Sequence, residues 1–215
     1  MRTLSPVAAL LVMVACSSRA GIIDRIAVSV DKQVITESEI VQQIRIAAFL
    51  NRTPADTSAA GKRKAAEQLV ELALIAQELK LSPFIAATAE EVSQALDRVK
   101  ADYTSETGYR ERLASLSLTE AVLERQLRRQ IEVNRLIDYR FRPATVITDA
   151  DVQEYYDRKV EEWTKQGVQP IPSLAAARGD IEKILSGQQA NQALDKWLGE
   201  VRIRANILYH DEALK

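Results

Sequence analysis

Four helix-start signals constrain the fold of this chain more than any other feature of its sequence. Each is a threonine or serine followed three residues later by an acidic residue, which is the spacing of a capping box. Apolar residues then recur three and four positions apart, the period of an amphipathic helix. The sequence therefore predicts a protein built mainly from long α-helices. The four signals are Thr36 with Glu39, Thr88 with Glu91, Ser117 with Glu120, and Thr148 with Asp151.

Apolar stripes predict where the helices lie, including two helices, at 62–81 and 174–199, that follow none of these signals. The stripe of 62–81 contains Leu69, Leu72 and Leu79. The 88–116 stretch is expected to divide, with a shorter helix at 105–116 that is interrupted near Gly108. The last helix could break at Ser186 and Gly187, because glycine inside a helix costs about 1 kcal/mol relative to alanine. The expected helical ranges are 37–50, 62–81, 88–116, 117–139, 148–163 and 174–199.

Two short stretches show the period of a β-strand instead. Ile26, Val28 and Val30 alternate with other residues and lead through a polar turn into Val34, which predicts a small hairpin. Residues 201–209 also alternate, and we expect them to pair with the first strand. The predicted fold class is thus mainly α, with a β-hairpin near the N-terminus and a C-terminal strand that pairs with it.

Residues 1–20 have the outline of a secretory signal. Arg2 provides a positive start, an apolar run follows at 7–15, and small residues come next. The signal predicts export to the periplasm. Two processing sites remain open: ordinary cleavage after Ala20, or lipidation at Cys16, which would anchor the protein to a membrane. Cys16 is the chain's only cysteine, so the rest of the chain contains no disulfide.

The composition narrows the function classes. Hydrophobic residues make up 47% and charged residues 27% of the 215 residues, which are globular proportions. The formal net charge of −1 argues against a general nucleic-acid binder, because such a protein needs an excess of basic residues. We therefore expect no nucleic-acid partner.

The sequence offers no catalytic centre, and we predict no enzyme, metal or cofactor. His210 is the only histidine and lies near the C-terminus, with no nucleophile or metal-ligand cluster beside it in the sequence. The carboxylate pairs at 90–91, 149–151 and 161–162 fall at helix starts or on a solvated helix face, where acidic groups complement the helix dipole.

An arginine-rich stretch at 125–142 could form a surface that binds lipid headgroups or nucleic acid. Glu124, Glu132 and Asp138 interleave with its arginines. We therefore interpret it as a solvated helix face with ion pairs three and four residues apart.

Aromatic residues are the remaining binding candidates, since they provide large and adaptable contact area. Most aromatic residues at helical spacing are nevertheless core residues. The candidates for peptide binding are Phe49, Phe84, Tyr103, Tyr109, Tyr155, Tyr156 and Trp163.

Residues 24–40, DRIAVSVDKQVITESEI, resemble the opening of the SurA N-terminal domain family, in which a short strand and a polar turn lead to an acidic helix start. The resemblance covers 24–163, with a C-terminal return at 174–209. It implies a helical chaperone domain. Later elements follow in the family's order, namely LALIAQELKL at 72–81, TAEEV at 88–92 and the arginine-rich helix at 123–139.

In SurA-like proteins the helix that 148–163 resembles leads into a parvulin-type prolyl isomerase domain. Here the short stretch TKQGVQPIP follows it, and the usual pair of histidines is missing. We expect a linker in place of the isomerase domain. The expected organisation is a signal peptide at 1–20, a SurA N-terminal-like helical domain at 21–163, a linker at 164–173, and a helix and strand at 174–215 that complete the same domain.

The resemblance implies an ATP-independent periplasmic holdase, which binds unfolded or outer-membrane polypeptides in an apolar crevice. Two alternatives stay open. Family membership alone would suggest prolyl isomerisation. Lipidation at Cys16 would instead suit an anchored structural or adaptor subunit of an envelope complex.

Overall fold

The computed structural model describes residues 24–82, 85–144 and 146–215. The signal predicted at 1–20, the possible lipidation site Cys16 and the candidate Phe84 lie outside these residues. The described part is mainly helical, as the sequence predicts. Its helices are α1 (Glu37–Leu50), α2 (Ala59–Lys80), α3 (Ala89–Ala101), α4 (Glu106–Ser115), α5 (Glu120–Arg140), α6 (Asp149–Gln166) and α7 (Leu174–Arg204).

Three of the four predicted capping boxes form. The hydroxyls of Thr36, Thr88 and Thr148 each accept a hydrogen bond from the backbone N–H three residues on. The acidic side chain at that position accepts one from the threonine N–H in return. These reciprocal bonds satisfy backbone donors that a helix start otherwise leaves without partners. They explain why α1, α3 and α6 begin where the sequence predicts.

The predicted capping box at Ser117 is wrong. Ser117 has a left-handed backbone, with φ of 51°, and it terminates α4 instead of starting α5. Its N–H donates to the carbonyl of Ala114, and the N–H of Leu118 donates to the carbonyl of Leu113. This pair of bonds is a Schellman motif. Helix α5 starts later, after Thr119, whose side chain forms no capping hydrogen bond.

Helix α7 differs from its predicted form in two ways. It runs without a break past Ser186 and Gly187, and it continues to Arg204, beyond the predicted end at 199. The C-terminal strand is correspondingly shorter than predicted and spans Ile207–Tyr209. The predicted interruption of α4 near Gly108 is also absent, because Gly108 lies in the first turn and its N–H donates to Ser105.

A three-stranded antiparallel sheet joins the two ends of the described chain. Strand β1 (Ile26–Val30) lies at its centre, between β2 (Gln33–Thr36) and β3 (Ile207–Tyr209). This confirms the predicted hairpin and the predicted pairing of the C-terminal strand with it. The N–H of His210 extends the β1–β3 pairing by donating to the carbonyl of Ala27, over 2.8 Å.

The core consists of three apolar clusters. The first joins the sheet to α1, α2 and the C-terminal residues Ala213 and Leu214. The second joins the end of α1 to α3, α4 and α5. The third is small and lies where α2 and α5 meet α7, with Trp197 packed against it. Helix α2 contributes to the first and the third cluster, so it is the central support of the fold.

Candidate functional site

Three of the predicted peptide-binding aromatics form one ring cluster inside the second core cluster. The ring centroids of Phe49, Tyr103 and Tyr109 lie 5.6–5.9 Å apart. Phe49 and Tyr109 are each only 1% exposed. Both are therefore core residues in this conformation, and a peptide has no access to them. The physical reason is that α1, α3 and α4 all turn an apolar face toward this point.

Hydrogen bonding differs sharply between the two tyrosines of this cluster. The hydroxyl of Tyr109 donates to the carboxylate of Glu120 at 3.2 Å, and Lys100 lies 2.9 Å from the same carboxylate. Burial, followed by the nearby Glu120, raises the pKa of Tyr109. The hydroxyl of Tyr103 is buried and has no hydrogen-bond partner in the described part of the chain.

The remaining aromatic candidates among the described residues lie on α6 and are partly exposed. Tyr156 and Trp163 are in edge-to-face contact, with ring centroids 6.3 Å apart. The Tyr156 hydroxyl donates to the carbonyl of Pro172 at 2.8 Å, which ties α6 to the segment before α7. Arg158 lies over the ring of Tyr155. The structure thus places these three on one helix, outside the ring cluster around Phe49, and only Tyr156 and Trp163 have their rings in contact.

Two openings in the described surface lie where α5 crosses α2. One of them, here called the β2-side cavity, has a volume of about 420 Å³ and is bounded by β2, α2 and α5. The other, the α7-side cavity, has a volume of about 440 Å³ and is bounded by α1, α2, α5 and α7. Leu72, Arg129 and Val133 line both. We call the two cavities together the α2–α5 crevice.

The floor of the crevice is apolar and comes mainly from α2. Leu69, Leu72 and Leu79 line the β2-side cavity and are half-buried. Other residues of α2, such as Val70 and Leu74, are almost fully buried in the first core cluster. Helix α2 is therefore apolar over more than one face. One face closes the core, and the other packs against the core clusters through Leu69 and Leu79 but stays half-exposed at the crevice.

Two arginines on α5 have structural partners. Arg128 donates to the carbonyl of Ala87 at 2.7 Å, and Arg135 donates to the carbonyl of Ala86 at 2.6 Å and pairs with Glu91. Glu132 accepts from the N–H of Ala87 at 3.2 Å. These bonds fix the segment before α3 on α5.

The predicted pattern of ion pairs along α5 is only partly correct. Asp138 pairs with Arg142 four residues on, at 2.6 Å. Arg125 and Arg129 lie on the rim of the crevice, exposed to solvent. In the part of the chain that the structure describes, no hydrogen bond or ion pair reaches either guanidinium group. The crevice rim therefore carries two positive charges that no described residue pairs with.

The α7-side cavity has a different electrostatic character. Glu71 and Asp195 lie on its lining. Partial desolvation raises the pKa of Glu71, and the nearby carboxylates of Glu67 and Asp195 act in the same direction, while Arg202 opposes them. The crevice is thus positive beside β2 and acidic beside α7.

A comparison with protein-family models matches residues 4–137 to the SurA-like N-terminal domain. This range is more than half of the chain. The chain belongs to the SurA-like N-terminal domain family. The match includes β1, β2 and α1 to α4, together with most of α5. No parvulin domain is indicated by this comparison. No curated protein matches the chain.

The SurA-like fold places the lone histidine in the sheet region. His210 Nε2 lies 3.4 Å from the hydroxyl of Ser29. Among the described residues, no group of three or more histidine, cysteine or acidic side chains could hold a metal ion. None of the described helices is both long and apolar enough to cross a bilayer.

The residues of the crevice were not among the predicted binding residues, although the apolar pattern placed three of them on one stripe. Leu69, Leu72 and Leu79 belong to the apolar stripe of the second predicted helix, and the pattern left open which apolar residues line a crevice and which lie in the core. A signal was present, because Val70, Leu74 and Ile75 form a second apolar row on the same helix. A single stripe against one core does not need both rows.

Proposed function

We propose that this protein is a periplasmic, ATP-independent chaperone that holds unfolded polypeptides, including outer-membrane proteins, in the α2–α5 crevice. The SurA-like N-terminal family suggests a chaperone-like role in the periplasm. The single observation that carries the proposal is the open apolar floor that α2 exposes at this crossing.

The physical argument rests on the combination of floor and rim. Half-buried leucines offer apolar surface to a client, whereas the charged rim keeps the free protein soluble. The crevice is wide and open, so it suits many weak contacts better than one tight fit. Such contacts can shield exposed apolar segments of a client without folding it.

The test is suppression of aggregation. A denatured outer-membrane protein is diluted into buffer with a several-fold molar excess of the full chain, and light scattering is followed over time. We expect the wild-type protein to reduce scattering. Leu72→Glu should remove most of this effect, because it places a charge on the floor that both cavities share.

The matched control is Ile203→Glu. Ile203 is a large apolar residue on α7 that is 86% exposed and lies outside the crevice. The Ile203→Glu variant should suppress aggregation as the wild-type protein does. If the wild-type protein does not reduce scattering, or if both variants retain its full effect, the proposal is wrong.

A further inference from the structure

We infer that the β2-side cavity binds an extended client segment as an additional β-strand along β2, and that it selects segments carrying a carboxylate beside their apolar residues. This inference rests on the proposed function and names the segment chemistry and binding mode at that crevice. Two independent features carry it: the edge of β2 at Val34, with which no described strand pairs, and two arginines across the cavity that have no ion-pair partner among the described residues.

The direction of the β2 backbone follows from the sheet register. Ser29 pairs with Val34 on one side and with Leu208 on the other. Hydrogen bonds on the β3 side join Ala27 to His210 and Asp31 to Asn206. Antiparallel pairs alternate between bonded and non-bonded, so Ser29 directs its N–H and C=O toward Leu208.

Val34 must therefore direct its own N–H and C=O away from β1. Its side chain is 53% exposed, and it lines the β2-side cavity. The next outward N–H on this strand, that of Thr36, is already held by the Glu39 carboxylate at 2.8 Å. The edge thus offers one donor and one acceptor at a single residue, directly beside the apolar floor of α2.

An extended polypeptide fits this arrangement. Its backbone can pair with Val34, as in strand addition to an open sheet edge. Its side chains alternate, so those on one side can reach Leu69 and Leu72 on the floor. A nucleic acid has no backbone N–H and C=O pair to match this edge, and the chain's net charge of −1 does not favour one.

Charge complementarity selects among polypeptide segments. Arg125 and Arg129 lie on the opposite wall and have no ion-pair partner among the described residues. The two carboxylates of the same cavity are engaged: Glu39 by the N–H of Thr36, and Glu132 by the N–H of Ala87. A guanidinium group binds a carboxylate through two parallel N–H donors. A client carboxylate is thus the natural partner of this wall.

The experiment measures binding of two labelled nine-residue peptides by fluorescence anisotropy. Both alternate leucine with serine, and the central residue is glutamate in one and lysine in the other. We expect wild-type protein to bind the glutamate peptide about tenfold more tightly. Arg125→Glu combined with Arg129→Glu should reverse that order. Arg110→Glu with Arg158→Glu, which makes the same charge change at two exposed arginines outside the crevice, should keep it.

A second pair of variants tests the strand edge. Val34→Pro removes an N–H that the sheet does not use, and proline is tolerated on edge strands for that reason. Val34→Pro should weaken the binding of both peptides about tenfold, and it should leave the helical circular dichroism signal unchanged. Val34→Thr keeps the N–H and a β-branched side chain, so it should bind as the wild-type protein does.

Several results would overturn the inference. They are equal affinity of the wild-type protein for the two peptides, an unchanged order in the double arginine variant, and equal binding by Val34→Pro and Val34→Thr. A concentration-dependent dimer that Val34→Pro abolishes would identify a second copy of the chain as the occupant of the edge. In each case, suppression of client aggregation by the wild-type protein would leave the proposed function standing.

Discussion

At the scale of single residues, the ring cluster of the second core holds two tyrosine hydroxyls in opposite environments. The hydroxyl of Tyr109 donates to Glu120, whereas that of Tyr103 is buried without a partner among the described residues. A buried polar group without a hydrogen bond costs about 1–3 kcal/mol, and a satisfied one contributes about 0.5–1.5 kcal/mol net. Removing each hydroxyl should therefore change stability in opposite directions.

We expect Tyr103→Phe to raise the free energy of unfolding by about 1 kcal/mol and Tyr109→Phe to lower it by a similar amount. Each substitution keeps the ring and its packing, so the two variants control for each other. Urea denaturation followed by circular dichroism gives both values. A loss of stability in Tyr103→Phe would contradict the prediction and would show that this hydroxyl finds a partner in solution.

At the scale of elements, the helix starts could be predicted from sequence better than the helix ends. A capping box is a local signal, because its two side chains and two backbone groups lie within four residues. The box at Thr36 formed for that reason. The same signal failed at Ser117, where a competing local structure, the Schellman end of α4, is stabilised by packing of Leu113 and Leu118 in the core. That packing depends on contacts distant in sequence, which a local pattern does not contain.

The end of α4 supports a stability prediction. Ser117 has φ of 51°, a left-handed conformation that costs a residue with a side chain about 1–2 kcal/mol. Glycine adopts it freely but loses more entropy on folding. We expect Ser117→Gly to raise the free energy of unfolding by about 0.5 kcal/mol.

Helix α6 provides the matched control for that variant. It ends in the same motif at Gly167, with φ of 72° and nothing within 4 Å of an added Cβ. Gly167→Ala should therefore lower the free energy of unfolding by about 1 kcal/mol through backbone strain alone. The urea unfolding midpoints of Ser117→Gly and Gly167→Ala test both expectations. If both shift in the same direction, the left-handed backbone is not what limits these helix ends.

At the scale of the whole molecule, the predictable and unpredictable parts of the site separate clearly. Local periodicity placed Leu72 on an apolar stripe and Arg129 on the wet side of its helix. It did not indicate that α5 would cross α2 and leave part of that stripe open. Phe49 and Tyr109 were candidates for binding because an aromatic residue has the same local signal in a core and in a groove. The difference is set by how distant helices pack.

The same long-range packing makes the C-terminal segment essential to the fold. Leu214 is 1% exposed and lies in the first core cluster beside residues of β1 and α2. Truncating a buried leucine to alanine costs about 2–5 kcal/mol, because it loses apolar contact and leaves a cavity. We expect Leu214→Ala to lower the free energy of unfolding by that amount. Leu208 on β3, which is 56% exposed, provides the matched control. Leu208→Ala should change the free energy of unfolding by less than about 0.5 kcal/mol.

The shape of the urea unfolding transition of Leu214→Ala shows whether the C-terminal segment unfolds together with the rest of the protein. The first cluster joins the sheet, α1 and α2, and Leu198 of α7 packs against both this cluster and the third. Loss of Leu214 should therefore shift one cooperative transition, seen at the same urea concentration by circular dichroism and by tryptophan fluorescence. An unchanged midpoint, with loss of amide protection confined to β3, would contradict this. The C-terminal strand would then be a separately unfolding unit, and the sheet would have a second free edge, at β1, available to an extended chain.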